Sequence, residues 1–383
     1  MIMSKEICIV NPGDISIPRG GENRVIAFVK TLRDSGFNVH LVVSKPKGKI
    51  PNDLQGINIY IIPLYVEDSN LKNQFLRTMH LINKAKKIIQ QYNAILQLEH
   101  SPLAGFATIV NNNFNYKYIL DMHDLAFMGP VYSKYLSLKK IIGRIEKRGV
   151  KKASKVIVVS EPMKRFIVDK WGMVEDNVYV IPNGYFESKF EKLKLDNIEE
   201  VEGMISFLGT LHLKLDINKI VYLAKSLKKL MIYIIGEGPA RKELERKIKE
   251  YNLKNIFVTG WIPDDEAYRL IAKSQVVIYP IKKLDLHTKI LTSVKIFDYS
   301  ALGKAMVLDD VSESEIWKEY KEKRAALFSN PDNPKEFVNC VQILLEDEKL
   351  RRKIGLRAKN LAKKYTWEKM GERLVKLYRE VLE

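Results

Sequence analysis

The sequence predicts an α/β protein built from two doubly wound parallel sheets. Short apolar runs rich in β-branched residues alternate with segments of helical periodicity along almost the whole chain, and this alternation builds parallel sheets through crossover helices. A chain of 383 residues is also longer than one hydrophobic core usually supports. The third observation is a polar, weakly patterned stretch near the middle of the chain, residues 184–203.

The first strand and helix show how the elements are assigned. Residues 7–10 form an apolar run, and an apolar stripe at helical spacing then extends from Val25 to Leu32 before Gly36 ends the helix. By the same criteria, further strands are predicted in the first half at residues 39–43, 57–61, 94–98, 117–120, 156–159 and 178–181. In the second half they are predicted at residues 204–208, 231–235, 256–259, 276–279, 305–308 and 325–328.

These elements divide the chain into two domains. Residues 1–183 are predicted to form the N-terminal domain, 184–203 a linker, and 204–365 the C-terminal domain. A last helix, within residues 366–383, follows the completed second sheet and is predicted to pack back on the first domain. Ligands of such sheets bind at the carboxyl ends of the strands, so we expect the chemistry in the loops after strands, facing a cleft between the domains.

Composition excludes several classes of protein. With 46% apolar and 29% charged residues the chain is globular in type, and it contains no tract that would indicate disorder. No run approaches the roughly 20 apolar residues that a membrane span needs. The start lacks the apolar core of a signal peptide, which predicts a cytoplasmic location. Cys8 and Cys340 are predicted to be inert core residues, since neither has a partner at metal-ligand spacing.

The net charge of +18 is concentrated in one segment. Residues 134–155 contain nine basic residues and a single acid, Glu146. Leu138, Ile141, Ile142 and Ile145 recur there at helical spacing, which predicts a basic amphipathic helix. A solvated face is the simplest interpretation, and contact with anionic lipid headgroups or an acidic acceptor is the alternative. Nucleic acid is less favoured because no recognition motif accompanies the charge.

Two glycine-containing loops precede helices. Gly20 and Gly21 follow the first strand, where a helix N-terminus offers free amides to a phosphate or an oxyanion. Alone, a glycine pair is usually only a flexible turn. The loop from Ile235 to Arg241 comes closest to a dinucleotide fingerprint, but Arg241 stands where the third glycine belongs. The Walker A sequence is also missing, which argues against ATP hydrolysis by a P-loop, and no G-x-S-x-G nucleophile elbow occurs.

His123 directly follows a predicted strand. A lone histidine is more often structural than catalytic, but the carboxyl end of a strand is where ligands bind, which favours a functional role. His100 has a similar and weaker claim. No two of the six histidines have the spacing of a zinc site.

The segment from Thr292 to Ala305 is the most informative. A helix starting near Ser293 would aim free amides at the cleft, with Lys295 in its first turn and Asp298 one turn further along the same face. Amides and a cation suit a diphosphate, and a carboxylate one turn on suits ribose hydroxyls. An ordinary amphipathic helix with a surface ion pair explains the pattern equally well.

Taken together, these motifs resemble retaining glycosyltransferases of the GT-B fold, specifically family 4. The resemblance covers nearly the whole chain and is strongest from Val156 to Lys304 and in the final helix. The matching motifs are Gly20-Gly21, His123-Asp124, Val159-Ser160-Glu161, Ile181-Pro182-Asn183-Gly184, Leu208-Gly209-Thr210, Gly236-Glu237-Gly238-Pro239, Gly260-Trp261-Ile262-Pro263 and Lys295-Ile296-Phe297-Asp298-Tyr299 before Gly303-Lys304.

The resemblance implies roles for individual residues. Gly20 and Gly21 would bring amides to the donor diphosphate or the acceptor, and His123 would touch the transferred sugar, with Gly21, His123 and Lys295 as the catalytic set. The implied donor-binding residues are Gly20, Gly209, Thr210, Lys214, Glu237, Trp261, Ile262, Thr292, Ser293, Val294 and Asp298. Among these, Trp261 and Ile262 would border the nucleobase, the amides at 292–294 would bind phosphate, and Asp298 would bind the ribose.

This sequence departs from the family at three points. The basic residue usual after the Gly209-type glycine is Thr210, and Lys214 matches the usual downstream lysine out of register. The family has a pair of glutamates spaced by seven residues. Here Ile290 stands at the first of these positions and Asp298 at the second. We expect Lys282, Lys283 or Lys295 to supply the missing positive charge.

The resemblance therefore implies transfer of a hexose-like sugar from a UDP-, GDP- or ADP-linked donor to a glycan or lipid-linked acceptor, with retention. The rivals are a 2-epimerase of the same architecture, for which no carboxylate cluster is evident, and a non-catalytic sugar-nucleotide or polyanion binder. No cofactor or divalent metal is expected, because no Asp-x-Asp pair occurs in the chain. Acceptor choice would depend on N-terminal loops at 63–74 and 125–137.

Overall fold

A computed structural model describes residues 5–17, 20–65, 71–110, 116–129, 136–193, 195, 198–283, 288–290 and 293–382. The chain forms two compact units. The first unit contains Met1–Asn183 together with Trp367–Glu383, and the second contains Gly184–Thr366.

The first unit is a seven-stranded sheet of order β3-β2-β1-β4-β5-β6-β7 with helices between the strands. Every strand pair in it is parallel. Its strands are β1 (Glu6–Asn11), β2 (Asn38–Lys45), β3 (Asn58–Tyr65), β4 (Ile95–Glu99), β5 (Tyr118–Met122), β6 (Lys155–Val158) and β7 (Val178–Val180). Its helices are α1 (Gly20–Asp34), α2 (Leu71–Tyr92), α3 (Ser101–Val110), α4 (Leu136–Lys152) and α5 (Glu161–Trp171), and the terminal helix given below joins them.

The second unit is a six-stranded parallel sheet of order β10-β9-β8-β11-β12-β13. Its strands are β8 (Val201–Leu208), β9 (Met231–Ile235), β10 (Ile256–Gly260), β11 (Ser274–Tyr279), β12 (Ala305–Asp309) and β13 (Leu327–Ser329). Its helices are α6 (Glu187–Leu193), α7 (Ile217–Ser226), α8 (Arg241–Glu250), α9 (Asp264–Lys273), α10 (Val294–Ala301), α11 (Glu315–Glu322), α12 (Pro334–Glu346) and α13 (Glu348–Ala362). The predicted α/β class with two Rossmann-like sheets is confirmed.

Each sheet has a point where the strand order reverses, and ligands of such sheets generally bind at this point. In the first unit the reversal lies between β1 and β4, and in the second it lies between β8 and β11. The central strands are mostly apolar and are buried on both faces, since helices cover both sides of the sheet. The loops that follow them at the reversal are therefore the places where polar groups can meet a ligand.

The terminal helix α14 (Trp367–Leu382) packs on α1 within the first unit. Trp367 is buried, and its ring meets Phe28 edge-on with centroids 5.9 Å apart. Gly371 lies against Thr31 so closely that a side chain at 371 would overlap with it. The helix is thus built into the core of this unit.

The predicted linker at 184–203 is wrong for the described residues of this stretch. They belong to the second unit, where Tyr185 forms a bridge with Thr366. Phe190 of α6 is buried and packs its ring 4.9 Å from that of Tyr268. The lysine- and glutamate-rich composition hid these two aromatic anchors. Strand β8 also begins at Val201, three residues before the predicted start.

The basic amphipathic helix is present as α4, although residues 134 and 135 lie outside the described part of the chain. Ile142 is buried against Phe106, and Leu138 and Ile145 pack beside it. Ile141, one of the four apolar residues at helical spacing in the predicted amphipathic helix, is 46% exposed. It lies about 100° around the helix from Ile142, which carries it off the packed face.

No helix among the described residues is long and apolar enough to span a membrane. The two cysteines are free. Burial raises the pKa of the Cys8 thiol to about 12 and that of Cys340 to about 11, which keeps both protonated and unreactive.

Candidate active site

In the first unit, polar side chains gather at the sheet reversal. His123 directly follows β5, Glu99 ends β4, and Gly20 opens α1 after the loop from β1. The side chain of His123 is only 9% exposed. A Cβ on Gly21 would lie 3.0 Å from His123 Nδ1, so the first turn of α1 runs directly past the imidazole. Gly21 and His123, both predicted as catalytic, are neighbours, with Gly20 beside them.

His123 lies between two buried carboxylates. Its Nε2 is 3.0 Å from Glu99 Oε2 and 3.6 Å from Asp121 Oδ2. Burial alone would lower the pKa of His123, but Asp121 and Glu99 outweigh it and raise the pKa to about 9. The imidazole is therefore a cation at neutral pH, which makes it a hydrogen-bond donor rather than a base.

Arg24 of α1 neutralises one of the two carboxylates. It donates to both oxygens of Asp121, from Nε at 2.8 Å and from Nη2 at 3.0 Å, and neither side chain is exposed. Burial would raise the pKa of Asp121, but Arg24 and His123 hold it well below its usual range. Arg24 Nη1 also donates to the carbonyl oxygens of Ile181 (2.9 Å) and Pro182 (3.1 Å), which fixes the chain after β7.

His100 lies against His123, with ring centroids 4.3 Å apart in an edge-on arrangement. Its φ is +70°, an unusual conformation for a residue with a side chain, and such strain concentrates at functional sites. Burial and the neighbouring His123 cation lower the pKa of His100 to about 4, so it stays neutral. The weaker of the two predicted histidines thus belongs to the same cluster.

Glu99, Asp121 and His123 present three potential ligand atoms within 4.8 Å of one another. A metal there would compete with Arg24, which already donates to both oxygens of Asp121. The ion pairs already balance the charge of these residues, and we assign no metal to them.

Sequence reasoning missed Arg24 and Glu99 as members of this cluster. It also missed Gln97, which donates to Glu99, and Tyr378, which donates to Gln97. A signal was present in the sequence. Gln97 and Glu99 are polar residues at alternate positions of the central strand β4, whereas central parallel strands are normally continuous apolar runs. Arg24 likewise interrupts the buried face of α1 beside Val25. Buried polar residues need partners, and their positions mark the network.

In the second unit, glycine-bearing loops meet at the carboxyl ends of β8, β9 and β10. The Gly209 amide donates to the Ile235 carbonyl at 2.8 Å, and the Gly236 amide donates to that of Gly260 at 2.9 Å. Gly236 has a φ of +135°, and a Cβ there would overlap with the Gly209 carbonyl. Only glycine fits, and the loops are held as one layer of backbone.

The side chain of Lys295 lies across Gly209. Any Cβ on Gly209, whose φ is +140°, would overlap with the lysine stem. Burial and the nearby Lys214 lower the pKa of Lys295 to about 8, while Asp298 opposes them. Lys214 and Lys295, both named from the sequence, are therefore close enough to create one positive region beside the β8 loop.

Asp298 lies one turn along α10 from Lys295, as predicted. Burial raises its pKa to about 7 against the opposing charges of Lys189 and Lys295. Its neighbours include Tyr268, which is hydrogen-bonded with it. Lys189 in turn pairs with Asp264 at 2.5 Å. Sequence reasoning missed Lys189 because α6 was taken for linker.

The remaining predicted donor residues lie around these loops. Trp261, directly after β10, is 72% exposed, and Ile262 beside it is partly buried. Thr210 is exposed, while Glu237 pairs with Arg241. Helix α10 begins at Val294 with Ser293 as its N-cap, close to the predicted start. Thr292 lies outside the described residues, and Ile290 is buried, as expected of an apolar residue.

Two doubly wound parallel units, one with glycine-bearing loops beside Lys295 and one with a buried histidine at its sheet reversal, are the architecture of the GT-B class of glycosyltransferase folds. The chain belongs to the family 4, group 1 glycosyltransferases. Residues 18–186 match the protein family described as Glycosyltransferase Family 4, and residues 202–347 match the family described as Glycosyl transferases group 1.

Curated relatives are distant in sequence. A sulfoquinovosyl transferase of Arabidopsis thaliana is 23% identical over 48% of this chain, and the match spans 35% of that relative's length. An N-acetylgalactosaminyltransferase of Campylobacter jejuni that acts on a diphospho-undecaprenol-linked sugar is 22% identical over 94% of this chain and 96% of its own.

Solved structures share the fold. Sucrose-phosphate synthase of Thermosynechococcus elongatus has a TM-score of 0.77 at 17% identity, covering 98% of both chains. Anabaena HepE in complex with UDP has a TM-score of 0.74 at 15% identity, covering 98% of this chain and all of its own.

Proposed function

We propose that this protein is a retaining glycosyltransferase that moves a hexose-like sugar from a nucleoside diphosphate donor to a glycan or lipid-linked acceptor. The observation that carries the proposal is Lys295 lying across Gly209 at the end of β8, with Asp298 one turn further along α10. A cation and backbone amides suit a diphosphate, and a carboxylate one turn away suits a ribose. Family membership supports the same reaction class.

The second unit would hold the donor. Lys295 and the amides at the start of α10 would bind the diphosphate, and Lys214 would add positive charge to the same region. Asp298 would accept from the ribose hydroxyls. The exposed indole of Trp261 would stack against the base, since a tryptophan that is 72% exposed offers a free aromatic face.

The first unit would act on the transferred sugar. His123, held as a cation by Glu99 and Asp121, would donate a hydrogen bond to a sugar oxygen, while the amide of Gly21 would stabilise charge that develops on the leaving group. With a cationic histidine no general base is present at this position. The leaving phosphate would itself take the proton of the acceptor hydroxyl as that hydroxyl attacks from the same face, which retains the anomeric configuration.

We propose that no divalent metal takes part. Lys295, Lys214 and fixed amides would together stabilise the leaving diphosphate, because oriented donors need no reorganisation at the moment of reaction. Uridine is the first base to test, since one similar structure contains UDP.

The acceptor side is proposed to meet an anionic surface through α4. Lys140, Arg144 and Lys151 are exposed at i, i+4 and i+11, which places them on one stripe. The sole acid of the helix, Glu146, is buried and holds the amides of Ala126 and Phe127 at 2.9 and 2.7 Å. Like charges one turn apart repel, so this stripe favours an anionic partner such as a phospholipid or a lipid-linked acceptor.

A thermal-shift panel of UDP-, GDP- and ADP-sugars tests the donor proposal. A donor at about 100 times its Kd should add about 2.7 kcal/mol of stability. The Asp298→Asn variant should lose most of the shift, whereas Asp332→Asn, at an exposed acid of the same unit, should keep it. Equal shifts in both variants would remove Asp298 from the donor site.

A further inference from the structure

A chain of buried hydrogen bonds connects the terminal helix to His123. The Tyr378 hydroxyl on α14 donates to Gln97 Oε1 at 2.6 Å, and Gln97 Nε2 donates to Glu99 Oε1 at 2.6 Å. Glu99 Oε2 then meets His123 Nε2 at 3.0 Å. Tyr378, Gln97 and Glu99 have no exposed surface.

The directions of the first two hydrogen bonds in this chain are determined. Burial holds the pKa of Tyr378 well above its usual value, so the phenol keeps its proton and can donate. Because Gln97 Oε1 accepts the hydrogen bond from this phenol, the amide nitrogen of Gln97 must face Glu99. Glu99 Oε1 is thereby an acceptor, and only Oε2 remains for His123.

This geometry determines the hydrogen on the other ring nitrogen of His123. If the shared proton is on the imidazole, both ring nitrogens carry hydrogen. If it moves to Glu99, the carboxylic acid donates to Nε2, and the neutral ring must then carry its hydrogen on Nδ1. Nδ1 is a donor in both cases. It is buried beside Gly21, and among the described residues it has no hydrogen-bond partner.

The surrounding charges agree with one shared proton. Asp121 on β5 raises the pKa of His123 as well but is paired with Arg24 on α1, whereas Glu99 on β4 is the nearer carboxylate, at 3.0 Å. The remaining titratable neighbours are His100, which stays neutral because burial and His123 lower its pKa to about 4, Asp124, whose charge reaches His100, and Tyr378. Loss of the proton from both Glu99 and His123 would leave one uncompensated buried negative charge.

We propose that α14 positions His123: Tyr378 and Gln97 orient Glu99, and Glu99 fixes the imidazole with Nδ1–H presented past Gly21 toward the substrate. This inference rests on the proposed function only for the identity of the group that accepts the hydrogen bond from Nδ1–H, which would be an oxygen of the transferred sugar. Tyr378, Gln97 and Glu99 are thus positioning residues, and His123 is the group that touches the substrate.

Nuclear magnetic resonance of protein with ¹⁵N-labelled histidine tests the relay without any substrate. In the wild type we expect His123 to titrate near pH 9. Glu99→Gln keeps the shape but removes the counter-ion, and it should lower the midpoint by at least about one pH unit. Tyr378→Phe should shift it in the same direction by a smaller amount.

Tyr118→Phe is the matched control. Tyr118 is equally buried in the same unit, and its hydroxyl donates to the Gly149 carbonyl at 2.5 Å, outside the relay. It should lose similar stability and leave the His123 midpoint unchanged. An unchanged midpoint in Glu99→Gln, or equal midpoints in Tyr378→Phe and Tyr118→Phe, would overturn the relay. A shifted midpoint in a protein without transferase activity would support the relay and refute the proposed function alone.

Discussion

Replacing Lys295 with Met should make the protein more stable and a weaker binder of donor. Lowering the lysine pKa from 10.5 to about 8 corresponds to about 3 kcal/mol of unfavourable free energy for the charged form, at about 1.4 kcal/mol per pH unit. This cost is complete below pH 8, declines between pH 8 and 10.5, and vanishes above 10.5, where the lysine is neutral in the folded and unfolded states. The unliganded variant should therefore gain up to about 3 kcal/mol at pH 7.

The same substitution should weaken donor binding. A charge-assisted hydrogen bond is worth about 1.5–3 kcal/mol, which is roughly 10- to 150-fold in Kd. Binding requires Lys295 charged and Asp298 ionised, and their pKa values are about 8 and about 7. Affinity should thus peak between pH 7 and 8 and fall on both sides. Lys295→Met should remove the fall at high pH and keep the fall at low pH.

Isothermal titration calorimetry with an intact nucleotide sugar from pH 5.5 to 9.5 measures the affinity on both sides of this maximum. A nucleotide sugar is the correct probe because a free nucleoside diphosphate has a terminal phosphate that titrates near pH 6. Lys249→Met, at an exposed lysine at the end of α8, is the control and should keep the fall in affinity at both low and high pH. If Lys295→Met binds as tightly as the wild type, or still loses affinity above pH 8, Lys295 does not bind the diphosphate.

Three further outcomes are expected. Asp298→Ala should cost about 1.5–3 kcal/mol of donor binding and abolish the fall at low pH; calorimetry showing unchanged affinity in a folded variant would contradict its role on the ribose. His123→Asn should depress turnover while nucleoside diphosphate binding stays nearly intact, and full turnover would return His123 to a structural role. Changing Lys140, Arg144 and Lys151 to Gln should weaken binding to anionic vesicles by about 1 kcal/mol per residue, and salt should reduce this difference because it screens the charges. Vesicle sedimentation measures the binding. Equal binding of the wild type to neutral and anionic vesicles would leave α4 as a solvated face.

The positions of the strands along the chain, and of the loops that follow them, could be predicted because parallel strands are buried on both faces. Their residues read as apolar runs, and the polar residue that follows each run marks its carboxyl end. His123 after β5 and Lys295 in the first turn of α10 were found in this way. Local periodicity is enough for such features, since they depend on neighbours in sequence.

The partners of those residues could not be predicted, because they come from distant positions. Tyr378 and Gln97 are 281 residues apart in sequence, and Arg24 and Asp121 are 97 residues apart. Only the folded sheet brings them together. The prediction of a linker at 184–203 failed for a related reason. Phe190 packs on the distant Tyr268, and the surrounding lysines and glutamates dominate the local average of hydropathy.

Release of nucleoside diphosphate in excess EDTA tests the central claim most directly. With a nucleotide sugar and an acceptor present, Lys295, Lys214 and fixed amides should stabilise the leaving group without a cation. We predict the same rate in EDTA as in added magnesium or manganese, and a product that keeps the anomeric configuration of the donor. A reaction that stops in EDTA and returns with metal, or a product of inverted configuration, would contradict the account.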